Sequence, residues 1–247
     1  MNERTRIGLI ELSTSIALSV EAPQAMPNGA IALFSRLRLP RGGECTAEAL
    51  DEMTSSTGFE EAARQLADAE VAAIAFACTT GSLLHGEGYD AQLAARLHGA
   101  TGIPSTTTAT ALLESLRALD VRRLVIATPY VDDLNRREQV FLEAAGFEVL
   151  AIRGLGLRVD ASIARVEPAE IEELVASVVD PDADAIFLSC TNLLTFDVLD
   201  RLEERYGLPV ISSNAATLWW TLALAGLRPT ADGLGRLLSG AIAPVAA

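Results

Sequence analysis

The chain has 247 residues, a length that suits one large domain or two of ordinary size. Half of the residues are apolar and 21% are charged, which supplies a substantial core and excludes a disordered chain. A formal charge of −14 argues against nucleic acid or an anionic membrane as partner, since both demand a basic patch, but leaves a small anion held by local donors open.

Short β-rich apolar runs alternate with longer segments of helical period. RIGLIE (Arg6–Glu11) predicts a first strand and AIALFSRL (Ala30–Leu37) a second. GFEEAARQLADA (Gly58–Ala69) predicts an amphipathic helix, followed by the buried strand VAAIAFA (Val71–Ala77). The helix DAQLAARLHGATG (Asp90–Gly102) ends before Ile103-Pro104, and the helix ATALLESLRAL precedes the strand RLVIAT (Arg123–Thr128). DDLNRREQVFLEAAG forms a further helix closed by Gly146, and strand FEVLAI, helix PAEIEELVASVV and strand ADAIFLS (Ala183–Ser189) follow. The chain finishes with FDVLDRLEERYG, strand LPVIS and a last helix around Leu218–Ala225. Alternation of this kind calls for an α/β fold with mostly parallel sheets covered on both faces.

An internal repeat appears when two cysteines are superposed. VAAIAFACTTGSLLHG leads through a helix to GIPSTTTATALLESLRAL, and ADAIFLSCTNLLTFD leads through a helix to GLPVISSNAATLWWTLAL. Each copy runs an apolar strand into Cys-Thr and later opens a strand with Gly-Ile/Leu-Pro that ends in Ser/Thr. The period is far too long for a solenoid. It implies two similar three-layer αβα halves related by a pseudo-twofold axis, with the active site in the cleft between them. Residues 1–110 with 214–247 are expected to form the first half, and 111–213 the second.

Ligands of open α/β sheets bind at the carboxyl ends of strands, where Cys78 and Cys190 both fall. Either cysteine alone reads as a small buried hydrophobe; their recurrence at equivalent places reads as a pair of opposed thiols. One would attack carbon or take a proton as thiolate while the other donates a proton from the far side. Backbone N–H groups at the turns are expected to lower their pKa. Thr79, Thr80, Thr191 and Asn192 offer hydroxyl, amide and backbone donors for a carboxylate or enediolate, and Gly81 lets the backbone approach an anion.

Other features carry less. Cys45 has no repeat partner and reads as incidental, His85 as a surface or lid residue, His98 as a helix-end residue, and Trp219-Trp220 as core or subunit contact. No CxxC pair, zinc spacing or GxGxxG is present, so neither metal nor cofactor is expected. No apolar run approaches the roughly 20 residues of a membrane span. The start, MNERTRIGLIELS, lacks the pattern of a signal peptide, and the sparse, odd cysteine count suits a reducing compartment, so a cytoplasmic location is expected.

At FACTTGS, ATPYVDDLNRRE (Ala127–Glu138), GLGLRVDASIARVEP (Gly154–Pro168) and LSCTNLLTFD (Leu188–Asp197) the chain resembles the aspartate/glutamate racemase superfamily, within it the maleate isomerase and arylmalonate decarboxylase branch. By that resemblance Cys78 matches the nucleophilic cysteine of maleate isomerases and Cys190 the proton-donating one. Tyr130 matches a tyrosine that contacts the substrate carboxylate, and Thr79 and Thr80 match donors beside the first cysteine. Arylmalonate decarboxylases carry glycine where this chain has Cys78, so the presence of both thiols tilts the reading toward isomerisation or racemisation. Two substrate-binding asparagines of maleate isomerases fall near Ser15 and near Ala161, where this chain has no amide.

The expected activity is cofactor-independent cis–trans isomerisation of a small, maleate-like dicarboxylic acid, through a Cys78 adduct and an enediolate. Ser13 and Ser15, just past the first strand, complete the expected pocket with Tyr130, Thr79, Thr80, Thr191 and Asn192. A racemase and a malonate-type decarboxylase share the enediolate and remain alternatives, and a non-catalytic sensor of a small acid is the reading from another class. The expected partner is the substrate alone, although LWWTLALAGL allows a homodimer.

Overall fold

The computed structural model describes residues 4–243; residues 1–3 of the MNERTRIGLIELS start and 244–247 of the segment expected in the first half lie outside the described residues. The chain builds two four-stranded sheets in succession. The first uses β1 (Thr5–Leu12), β2 (Ala30–Leu37), β3 (Ala73–Ala77) and β4 (Ser105–Thr107), flanked by α1 (Ala17–Ala25), α2 (Ala47–Ser55), α3 (Gly58–Asp68), α4 (Thr79–Leu83), α5 (Tyr89–Thr101) and α6 (Thr108–Ala118). The second uses β5 (Arg123–Thr128), β6 (Glu148–Gly154), β7 (Ala185–Leu188) and β8 (Val210–Ser212), with α7 (Asp132–Ala144), α8 (Asp160–Ile163), α9 (Pro168–Ala176), α10 (Phe196–Tyr206), α11 (Ser213–Leu224) and α12 (Gly235–Leu238). The strand orders are β2-β1-β3-β4 and β6-β5-β7-β8, and every pairing within them is parallel. The repeat read from the two cysteines is therefore a repeat of topology.

Hydrophobic pattern explains the layers. Every residue of β3 (AIAFA) and of β7 (AIFL) is buried, as parallel strands covered on both faces require. The helix α3 buries Phe59, Ala62, Ala63 and Leu66, the i, i+3, i+4, i+7 stripe of an amphipathic helix. Phe59 meets the Phe76 ring of β3 edge to face with centroids 5.0 Å apart. Full burial of such a ring is worth about 1.5–3 kcal/mol.

The fourth strands end alike. Thr107 Oγ1 accepts from Thr110 N at 3.2 Å to cap α6, and Ser212 Oγ accepts from Ala215 N at 3.1 Å to cap α11. That cap starts the last long helix at Ser213, earlier than the stretch around Leu218 expected from sequence. The helix α11 packs on α6, β3 and α1, so it returns to the first sheet after leaving the second. Among the described residues no helix is long and apolar enough to cross a membrane.

Candidate active site

Cys78 follows β3 and Cys190 follows β7, the third strand of each sheet in sequence, and their residues are only 4% and 5% exposed. Cys78 stands in extended conformation at the N-cap of α4. Cys190 adopts φ 106°, a region that disfavours any side chain, and its N–H donates to Ser213 Oγ at 2.9 Å. The threonine after each cysteine binds an element from the opposite part of the fold. Thr79 Oγ1 donates to Ser213 Oγ at 2.8 Å, and Thr191 Oγ1 donates to the Ala77 carbonyl at 3.2 Å. Each cysteine turn is thus tied to the other.

Gly81 sits one helical turn beyond Cys78. A Cβ there would lie 2.9 Å from Cys78 Sγ, 3.2 Å from the Phe76 ring and 3.3 Å from the Met53 methyl, so its hydrogen keeps room for the sulfur against the backbone. Burial, with Cys45 and Asp160 as neighbouring acids, lifts the Cys78 thiol well above its ordinary range; the Gly81 N–H and the Thr80 hydroxyl pull against it. Cys190 is lifted by burial and by Asp160, opposed by the Tyr130 hydroxyl and by Asn192 N–H, which donates to its sulfur at 3.4 Å. The expected donors are in place. The net direction is opposite to the expected lowering, because desolvation of a sealed thiolate outweighs a few neutral dipoles.

The ATPYVDDLNRRE segment builds one wall. Thr128 Oγ1 donates to Asn135 Oδ1 at 2.6 Å and accepts from Tyr130 N at 3.1 Å, which folds the turn that buries Tyr130 beside Cys190. Gly154 is obligatory for this turn, since a Cβ there would lie 2.1 Å from the Tyr130 carbonyl oxygen. Glu138 accepts from Ser189 Oγ at 2.7 Å, immediately before Cys190, and burial lifts its carboxyl to about 8.

Asn192 commits its whole amide to the protein. Its Oδ1 accepts from Ile16 N at 2.9 Å and Ala17 N at 3.3 Å at the start of α1, and its Nδ2 donates to the Asp160 carbonyl at 2.8 Å and to Asp160 Oδ2 at 3.0 Å. Ser15 Oγ donates to the same Oδ2 at 3.3 Å, alongside Thr14 Oγ1 at 2.6 Å. Ser13 is exposed, and its hydroxyl accepts from Leu39 N at 3.4 Å. The structure therefore sets Thr80 beside Cys78 and Tyr130 beside Cys190. It uses Thr79, Thr191, Asn192 and Ser15 as struts and leaves Ser13 at the edge.

Two further residues belong to this cluster. Cys45 is buried, with its sulfur 3.7 Å from Thr80 Oγ1, and burial lifts its thiol to about 12. Its loop crosses to the second half through Cys45 N donating to the Arg158 carbonyl at 2.7 Å and a bridge between Glu44 and Val159. Asp160, not its exposed neighbour Ala161, turns inward from α8, together with Ile163. One residue along a helix turns the side chain by about 100°, so a register read only as "near Ala161" misses it. By contrast, exposed His85 pairs with Asp51 at 2.7 Å, His98 Nδ1 lies 2.9 Å from the Ile103 carbonyl oxygen, and Trp219 donates to the Ile242 carbonyl at 3.2 Å.

Comparison with known proteins agrees with this architecture. An arylmalonate decarboxylase of Bordetella bronchiseptica is 38% identical over 198 residues, 79% of this chain and 82% of that protein. A maleate isomerase of Pseudomonas putida is 30% identical over 255 aligned positions, covering 98% of this chain and 100% of that protein. The crystal structure of a cysteine-to-alanine variant of the maleate isomerase Iso from Pseudomonas putida S16 with maleate superposes with a TM-score of 0.89 at 27% identity, covering 96% of this chain and 99% of that one. The family model described as arylmalonate decarboxylase matches residues 21–238. That span takes in all but one strand of the two sheets and both cysteine turns, and the chain belongs to the arylmalonate decarboxylase family.

Proposed function

We propose that this protein is a cofactor-independent isomerase that converts a small, maleate-like unsaturated acid from cis to trans. The observation that carries the reading is the pair of sealed thiols at the ends of equivalent strands, with the Thr80 hydroxyl acting on Cys78 and the Tyr130 hydroxyl on Cys190. Cys78 gives its thiol proton to solvent as its sulfur adds to one alkene carbon, and the alkene electron pair moves onto the adjoining carboxylate as an enediolate. Cys190 gives a proton to the carbon that bears the charge. The former double bond is then single and rotates. Cys190 takes that proton back as the C–S bond breaks, which releases the trans acid and the Cys78 thiolate, and Cys78 regains its proton from solvent.

Similarity to maleate isomerases over nearly the whole chain supports this activity. Thr80 and Tyr130 hold the reacting carboxylate; Thr79, Thr191 and Asn192 act by fixing the cysteine turns, and Ser13 and Ser15 border the far end. The proposed halves are the two sheets with their helices; the packing of α11 on β3 and α6 supports the return of the chain to the first half after about residue 213, whereas α12 packs on α10 and β8 of the second.

Decarboxylation of a malonate is the second reading, favoured by the 38% identity to an arylmalonate decarboxylase. It needs Cys190 as proton donor and has no use for a nucleophile at Cys78. Mass spectrometry of Cys190→Ala after incubation with maleate and, separately, with its monoamide separates the two. The isomerase reading predicts a thioether adduct on Cys78 peptides. Absence of any adduct, with arylmalonate decarboxylation retained by Cys78→Ala, overturns it.

A further inference from the structure

We propose that Asp160 makes this site select an acid whose second end is an uncharged hydrogen-bond donor, a primary carboxamide, over an acid with two carboxylates. The inference rests on the reading above only in placing a small carboxylic acid between the two thiols.

Asp160 is 3% exposed, and three donors from three directions hold its Oδ2: Thr14 Oγ1, Ser15 Oγ and Asn192 Nδ2. Among the described residues Oδ1 has no hydrogen-bond partner, yet it is not among the fully sealed unpartnered atoms. The fixed Oδ2 aims this free acceptor. Asn192 joins the carboxyl to the chemistry, because the residue that donates to Oδ2 also donates its backbone N–H to Cys190 Sγ. From the other side, the Cys45 loop bonds to Arg158 while its sulfur meets Thr80. Asp160 accordingly bears on all three thiols, and the proposal sets the second end of the bound acid against its free oxygen.

The charge balance then discriminates. Among the described residues no Lys, Arg or His acts on Cys78, Cys190, Cys45, Tyr130 or Asp160; Arg36 pairs with Glu11 and donates to the Ser15 carbonyl, not to Asp160. A second substrate carboxylate beside Asp160 would bring two buried like charges together without a cation. A carboxamide NH₂ instead offers the donor that Oδ1 lacks, while the acid's single carboxylate faces the Thr80 and Tyr130 hydroxyls.

Burial lifts the Asp160 carboxyl above its ordinary range, against the Thr14, Ser15 and Asn192 donors. Calorimetric binding of two saturated, unreactive acids, succinate and its monoamide succinamate, therefore tests this at about pH 8.5, well above the ordinary carboxylate range. The native protein should bind succinamate at least ~10-fold more tightly than succinate. The isostere Asp160→Asn, which presents an amide donor in place of the charge, should reverse the order. Equal or tighter binding of succinate by the native protein, or of neither acid, overturns the proposal without requiring any variant to fold. An unchanged ratio in a folded Asp160→Asn protein also overturns it. Neither acid can undergo addition, so binding in the expected order without turnover of the unsaturated counterparts would remove the isomerase reading alone.

Discussion

Replacing Gly81 by alanine adds one methyl group where the structure leaves least room for it. The nearest atoms would be Cys78 Sγ at 2.9 Å, the Phe76 ring at 3.2 Å and the Met53 methyl at 3.3 Å, and contacts under 3.0 Å force a shift. Gly81 lies in α4 with ordinary helical φ, so alanine gains up to about 1 kcal/mol of helix propensity. Overpacking of a filled core costs about 1–3 kcal/mol. The net is a loss of about 0–3 kcal/mol, or a Tm lower by up to roughly 12 °C for a chain of this size. Activity should fall much further. The atom displaced is the attacking sulfur, and it loses the N–H that favours its thiolate, so a loss of about 100-fold or more in kcat/KM is expected. The assay pairs thermal unfolding with isomerisation rate and with the rate of Cys78 alkylation by iodoacetamide. A Gly81→Ala protein with native turnover and native Cys78 reactivity would refute the packing argument.

Three further outcomes follow from the same contacts. Thr79→Val removes the donor to Ser213 Oγ, the atom that also accepts from Cys190 N; unfolding should show a loss of about 1–3 kcal/mol, and alkylation should show a Cys190 more perturbed than Cys78. Burial lifts Glu138 to about 8 and Glu21 to about 7, from 4.5. Their folded forms hold protons that the unfolded chain releases, so the stability they contribute is full below about pH 4.5 and is lost as pH rises to about 8. Glu138→Gln should flatten the fall in Tm across that window; a native Tm that rises through it would contradict the sign. Asn192→Ala removes the cap on Ile16 N and Ala17 N along with a donor to Asp160. It should cost about 1 kcal/mol or more, read by chemical denaturation.

What could be read from sequence was what local pattern determines. The apolar runs before Cys78 and Cys190 became the fully buried β3 and β7, and the repeat around them became two sheets of identical strand order. What escaped was fixed by contacts far along the chain. The helix α1 carries Pro23 inside it and no side-chain cap of its own; its cap is Asn192, 176 residues away from Ile16. Cys45 gave no local signal, because its place beside Thr80 depends on a bridge between the loops after β2 and β6. Asp160 was visible as an acid in RVDASIARV, but its inward direction depends on the rotation of the short helix α8. The thiols were read as easily ionised because donors at a turn are legible in sequence, whereas the depth of burial that reverses the shift is a property of the packed halves.

The central claim is that Cys78 forms a carbon–sulfur bond during cis–trans isomerisation. Proton NMR in D₂O, with maleate and its monoamide as substrates and with native protein and Cys78→Ala side by side, tests it most directly. A trans product is expected from the native protein and none from Cys78→Ala. No trans product from the native protein with either acid, or an equal rate from the variant, would contradict it.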